Sequence, residues 1–159
     1  MIQVTVITVG TLKENYWKDA IAEYEKRLGA FCKPEILQLK ETRLSENPSD
    51  GEIQAALEEE GKRILAAIPA RTYKIALCVE GEQFSSEALA KRLEQALAVN
   101  SGICLIIGSS YGLSSKVKAA CDLRLSVSRL TFPHQMMRVI VLEALYRCFG
   151  ILKGTKYHK

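Results

Sequence analysis

Three short stretches hold residue types that can do chemistry. "GSSYG", Gly108 to Gly112, satisfies G-x-S-x-G, the pattern that presents a serine nucleophile on a sharp strand-to-helix turn. Triad partners follow it in a workable order, Asp122 and then His134 or His158. Against a small serine hydrolase using Ser110 stand the lack of a glycine-rich oxyanion loop upstream and a chain short for that fold. The same glycines serve equally to let backbone amides approach a ligand. The stretch is neither G-x-G-x-x-G nor a phosphate loop, because Lys116 falls too far beyond Gly112. In "LTFPH", Pro133 and His134 stand at a helix start, where proline is ordinary and a lone histidine more often caps or packs than catalyses. The tail "KGTKYHK" packs an aromatic, an imidazole and three lysines into seven residues, a composition suited to stacking on a base and contacting phosphate.

The elements that must position these stretches alternate from start to finish. Ile2 to Val9 reads as a strand ending at Gly10, and Tyr16, Trp17, Ala20, Ile21, Tyr24 and Leu28 mark one face of a helix. Glu35 to Leu39 reads as a strand, and the polar connection "KETRLSENPSDG" leads to a helix carrying Ile53, Leu57, Ile64, Leu65 and Ile68. "YKIALCV" is a buried-type strand, and Ser85 or Ser86 caps a helix carrying Leu89, Leu93 and Leu97. "ICLIIG" is the most apolar strand, a short helix surrounds Val117 to Ala120, and "LRLSVS" is the last strand. Strands alternating with helices predict an α/β fold, a parallel sheet covered by helices on both faces. Ligands bind such sheets at the strands' carboxyl ends, which points to "LCVEG", "IIGSSYG" and "SVSRLTFPH". The helix from Gln135 to Phe149 is apolar nearly all round and needs cover on both sides, from the sheet and from a second subunit or a neighbouring helix.

Length and composition bound the rest. The chain of 159 residues fits a single domain, 1–159, with a sizeable core. The start lacks a basic leader and no apolar run reaches membrane length, so a cytoplasmic protein without membrane contact is expected. The five cysteines are odd in number and never spaced C-x-x-C, which argues for reduced packing residues and no metal site. Net charge is +4, but residues 101–159 hold nine Lys/Arg against two acids, Asp122 and Glu143. Such asymmetry fits a polyanionic partner as well as a merely solvated basic face.

From "VGTLKENYWKDAIAEYEKRLG" through "IIGSSYGL" and "LTFPHQMMRVIVLEALYR" to the terminal "YHK", the whole chain resembles the RlmH family. These are SPOUT-class methyltransferases that act on a pseudouridine of 23S ribosomal RNA. The resemblance implies a C-terminal trefoil knot, a homodimer, S-adenosylmethionine as methyl donor, and 23S rRNA within the assembled ribosome as substrate. By position it implies donor contacts at Leu77, Gly108, Val127, Ser128, Arg129, Leu130, Thr131 and Phe132. The chain departs from the family pattern at Ser109, where a second glycine is common; a serine there is strained if the position needs φ > 0. Methylating N3 removes a weakly acidic imide proton; positioning and desolvation supply much of the rate, and a nearby base or cations stabilising the imide anion would supply more. His158 is the base candidate, Tyr157 would stack on or orient the ring, and Arg147 and Lys159 would steady the anion or the phosphates. His134 and Arg138 would shape the site. Beside this reading stand the hydrolase and a non-catalytic RNA-binding module.

Overall fold

The computed structural model describes residues 1–158; Lys159 lies outside the described residues. Strands β1 (Gln3–Val9), β2 (Lys33–Leu39), β3 (Thr72–Glu82), β4 (Gly102–Ile107) and β5 (Leu123–Leu125) form one sheet in the order β2-β1-β4-β3-β5, every neighbouring pair parallel. Between them run α1 (Asn15–Leu28), α2 (Asp50–Ala67), α3 (Ser86–Leu97) and α4 (Ser115–Ala120), and α5 (His134–Leu152) follows the last strand.

The period of two along each strand sorts side chains into two layers. Val4 and Val6, Ile75, and Ile103, Leu105 and Ile107 face α1, α3 and α5. Ile7 and Val9, Ala76, and Cys104 and Ile106 face α2 and α4. All six residues of β4 are buried, and each such Ile or Leu contributes about 1.5–3 kcal/mol by leaving water. The loops at its end therefore stand on a rigid floor. Serines start three helices by accepting a backbone N–H three residues on: Ser49 from Glu52, Ser85 from Ala88 and Ser114 from Val117, at 3.1–3.3 Å.

Four details differ from the sequence reading. Tyr16 is 63% exposed, off the core face of α1. Leu65 is 38% exposed, and the buried stripe of α2 runs instead through Ala56, Glu60, Gly61 and Ile64. The last strand stops at Leu125, because the Ser126 and Ser128 hydroxyls bond to their own loop, Ser126 donating to Ser128 O and Ser128 accepting from Leu130 N. β3 runs on to Glu82 through a bulge, Leu77 and Glu82 both pairing with Leu125. Gly81 permits that return, since a Cβ there would lie 2.7 Å from the Leu125 backbone.

α5 lies between α1 and α3, and none of its residues is fully exposed. Phe149 stacks on Phe31, and Tyr146 meets Tyr24 edge-on. Cover for the all-apolar helix thus comes largely from neighbouring helices of the same chain.

Candidate active site

The carboxyl ends of β3 and β4 and the segment after β5 enclose a cleft of about 470 Å³. Its walls are the β3 bulge with Leu77, Cys78 and Val79, the turn Gly108 to Leu113, and the run Ser126 to His134 apart from Arg129. Of the eight residues expected to contact a methyl donor, Leu77, Gly108, Val127, Ser128, Leu130, Thr131 and Phe132 line it. Arg129 sits in the same run, exposed and outside the lining. Val79, Tyr111, Val127 and Leu130 are large apolar side chains exposed at this one place, Leu130 by 71%. Exposed apolar groups gathered around a cleft mark a binding surface. A smaller cavity of about 170 Å³ lies behind it between α3 and α5; with no charged group in its walls, it offers nothing to move a proton.

Local backbone explains the shape. Gly112 takes φ +89 and its N–H donates to Ser109 O at 2.9 Å, folding the turn back on itself. Gly108 lies directly beneath: a Cβ there would come within 2.2 Å of Gly112 O. Ser109 is not in the left-handed region, so the serine carries no backbone strain. Its hydroxyl instead donates to Glu60 Oε1 at 3.0 Å, both residues being buried. Glu60 Oε2 accepts the Thr42 N–H at 2.9 Å. One carboxyl group on α2 thus ties the turn beside the cleft to the connection after β2.

Glu60 was missed in the sequence reading, yet a signal existed. It falls three residues after Leu57 and four before Ile64, on the apolar stripe where a charged residue needs a partner. Glu60→Ala strands the Ser109 hydroxyl and the Thr42 N–H, each left unpaired at about 1–3 kcal/mol. The expected result is a melting temperature lower by about 5–10 °C and a looser turn, with Glu60→Gln recovering much of the loss. Thermal unfolding of both variants checks this, and an unchanged melting temperature in Glu60→Ala refutes it.

Chemistry in the cleft rests on few groups. His134 lines it, and burial, then the nearby Arg138, holds its imidazole below the usual histidine value, so it is neutral at pH 7. Arg138 is 2% exposed; its Nη2 donates to Val9 O and Gly10 O, clamping the start of α5 to the end of β1. Cys78 is a thiol rather than a thiolate, burial and then Glu80 pushing its pKa up. Lys118 pairs with Glu80 at the rim.

The serine triad is not assembled. Asp122 accepts from Lys74 N before the amino end of β5, away from the cleft at the carboxyl ends, and His158 is bound elsewhere. Ser110 is exposed on the turn, with no histidine or carboxylate bonded to its hydroxyl among the described residues.

The tail also lies away from the cleft of its own chain. Arg147 stands thirteen residues along α5 from His134, about 20 Å at 1.5 Å per residue. There it donates to Glu143 at 2.6 and 3.0 Å and lies over the Tyr157 ring at 4.6 Å. Tyr157 OH donates to Glu143 Oε2 at 2.9 Å. His158 Nδ1 is 3.3 Å from Arg147 Nη1, and Nε2 is 2.8 Å from Glu87 Oε1. Arginine can only donate, so Nδ1 accepts and Nε2 carries the proton. The structure brings Tyr157, His158 and Arg147 together, but not at the cleft. The basic last third is likewise partly spent inside the fold, on Arg138, Arg147 and Lys118.

No group of three or more His, Cys, Asp or Glu is gathered for a metal among the described residues, and no described helix is long and apolar enough to cross a membrane. A family model described as predicted SPOUT methyltransferase matches residues 2–158. The ribosomal RNA large subunit methyltransferase H of Streptococcus thermophilus, in strains CNRZ 1066 and LMD-9, is 52% identical over 159 residues, covering 99% of this chain and 100% of the relative. Two solved structures share the fold at low identity. A probable methylase family protein from Haemophilus influenzae Rd KW20 aligns with TM-score 0.53 and 12% identity over 99% of this chain and 70% of its own. A structure reported for 2-OH methylation of C/U34 on tRNA aligns with TM-score 0.54 and 15% identity over 93% and 91%. Sheet, helices and three-loop cleft all fall within the matched span, and this chain belongs to the SPOUT methyltransferase family.

Proposed function

We propose that the chain methylates N3 of a pseudouridine in 23S ribosomal RNA of the assembled ribosome, using S-adenosylmethionine. The observation that carries this reading is the three-loop cleft at the carboxyl edge of the sheet, in a chain 52% identical to a ribosomal RNA large subunit methyltransferase. The cleft fits the donor chemically: Leu77, Val127, Phe132 and Met137 offer apolar walls for a purine, and the Gly108 turn presents backbone without side chains. When bound, S-adenosylmethionine supplies a sulfonium methyl, which the imide nitrogen takes as its proton leaves and the carbon–sulfur bond breaks. The chain's own residues hold the two partners in line and keep water out.

The proton is the harder part. Neutral His134 is the titratable ring at the cleft of the same chain, and the Tyr157–His158 pair is about 20 Å away. We assign His158, Tyr157, Arg147 and Lys159 to the cleft of a second copy, which makes the working unit a homodimer. The exposed apolar side chains of Val79, Val127 and Leu130 around the cleft support a partner there. The trefoil knot, within a single domain of residues 1–159, is carried over from the family resemblance. A ribosomal substrate places the enzyme in the cytoplasm.

The test is methyl transfer from labelled donor to ribosomes of a strain lacking this modification, followed by mapping of the modified nucleotide. Ribosomes should far outperform protein-free 23S RNA, because a net charge of +4 releases few counterions and grips naked RNA weakly. Ser110→Ala should retain substantial transfer. Equal methylation of the two substrates contradicts the composite surface. RNA binding without saturable donor binding would favour the non-catalytic module, and complete loss in Ser110→Ala with normal donor binding would return Ser110 to a chemical role.

A further inference from the structure

Beside the cleft lies a second, wider cavity of about 770 Å³ that the reading above does not use. Its floor is Gly10, Thr11 and the end of β2, and its far wall is the connection Lys40 to Ser45. Tyr111, 48% exposed, lines both cavities and forms the ridge between them. Lys40 and Arg43 are exposed on the far wall, and neither is in an ion pair among the described residues.

The wall is held in place rather than left loose. Thr42, between the two cations, is clamped through its N–H by Glu60 and through Oγ1 by Arg63 Nη2 at 2.6 Å. The wall also carries one acid, Glu41, whose carboxylate lies over Gly10, turned from the two cations toward the side of Arg138, and which forms no ion pair among the described residues. Two cations in no ion pair among the described residues thus stand on a fixed wall of a trough that an exposed aromatic ring, Tyr111, separates from the cleft. A lysine and an arginine suit phosphates, and a tyrosine face suits a base of any sequence.

We propose that this second cavity is a nucleotide subsite, taking RNA adjacent to the target, with a base on Tyr111 and backbone phosphate at Lys40 and Arg43. It rests on the RNA-methylating reading. Four proteins test it: wild type, the double variant Lys40→Ala/Arg43→Ala, Tyr111→Ala and Tyr111→Phe. Ribosome affinity is measured by pelleting across a salt series, with methyl-transfer kinetics and donor calorimetry on each. The double variant should weaken ribosome binding about tenfold and lower the slope of log affinity against log salt by about 2, with donor affinity as in wild type. Tyr111→Ala should raise KM for ribosomes about tenfold, and Tyr111→Phe, which keeps the stacking face, should recover most of that loss. Unchanged ribosome affinity in both the double variant and Tyr111→Ala overturns the subsite. So does a loss confined to donor affinity. Weaker binding with an unaltered salt slope overturns it in favour of a protein contact. A wild-type protein that does not methylate ribosomes removes the functional reading itself; full wild-type activity with indistinguishable variants removes only the subsite.

Discussion

Replacing Gly108 with alanine should cut affinity for S-adenosylmethionine by about a hundredfold, from the addition of one methyl group. The new Cβ would lie 2.2 Å from Gly112 O and 2.6 Å from Gly112 C. These are backbone atoms, and the Gly112 N–H is already bonded to Ser109 O. Nothing can swing aside, so the turn must open. Overpacking of this kind costs about 1–3 kcal/mol or more, enough to displace a wall of the cleft while the sheet below it persists. Gly112→Ala is the informative control. Its φ of +89 strains any other residue, yet a Cβ there meets nothing within 4 Å, so it should cost about 1–2 kcal/mol of strain and leave more binding intact. Calorimetry with S-adenosylmethionine measures both. Wild-type affinity in Gly108→Ala, with circular dichroism unchanged, would show that the turn is not part of the donor site.

Deletion of Lys153 to Lys159 should lower methyl transfer by orders of magnitude while donor affinity stays near wild type. The deleted residues lie beyond the apolar helix, and their described contacts are with α5 and Glu87, far from the cleft of the same chain. Light scattering should still report twice the mass of the truncated chain. The distance along α5 adds a sharper consequence. If the tail serves the partner's cleft as proposed, a truncated subunit with an intact cleft, mixed with a full-length subunit carrying Gly108→Arg, should recover activity that neither homodimer has. His158→Ala separates two roles within the tail. In the docked tail, Nδ1 accepts from Arg147, so the ring must leave that position to take a proton. If it is the base, its loss should be partly relieved at higher pH, where the imide ionises unaided. A deficit constant across pH means that the ring only positions the nucleotide. Full-rate methylation by the truncated protein ends the tail hypothesis and leaves His134, Arg138 and Arg147 as the residues to test.

What could be read along the chain was what short-range physics controls. Alternation of apolar residues marked β1, an unbroken apolar run marked β4, apolar residues three and four positions apart marked α1 and α3, and a serine cap marked where α3 begins. Small residues at strand ends picked out the three loops of the cleft, because only a few side chains let backbone approach a ligand. Resemblance to a family supplied the donor and the substrate. None of these signals reports on a partner far away in sequence, and there the reading stopped. Arg138 bonds to carbonyls of Val9 and Gly10, 129 and 128 positions earlier. Glu60 meets Ser109 only because α2 and β4 are packed together across the sheet. The bulge of β3 depends on its pairing with β5, and the second cavity depends on β1 and β2 lying side by side at the same edge. The tail, expected at the active site, docks in its own chain against the later turns of α5 and against Glu87, since the length of α5 separates it from the cleft where that helix begins. Local periodicity and capping sufficed to determine the elements, while long-range pairing, which leaves no periodic trace in the sequence, decided which residues would meet.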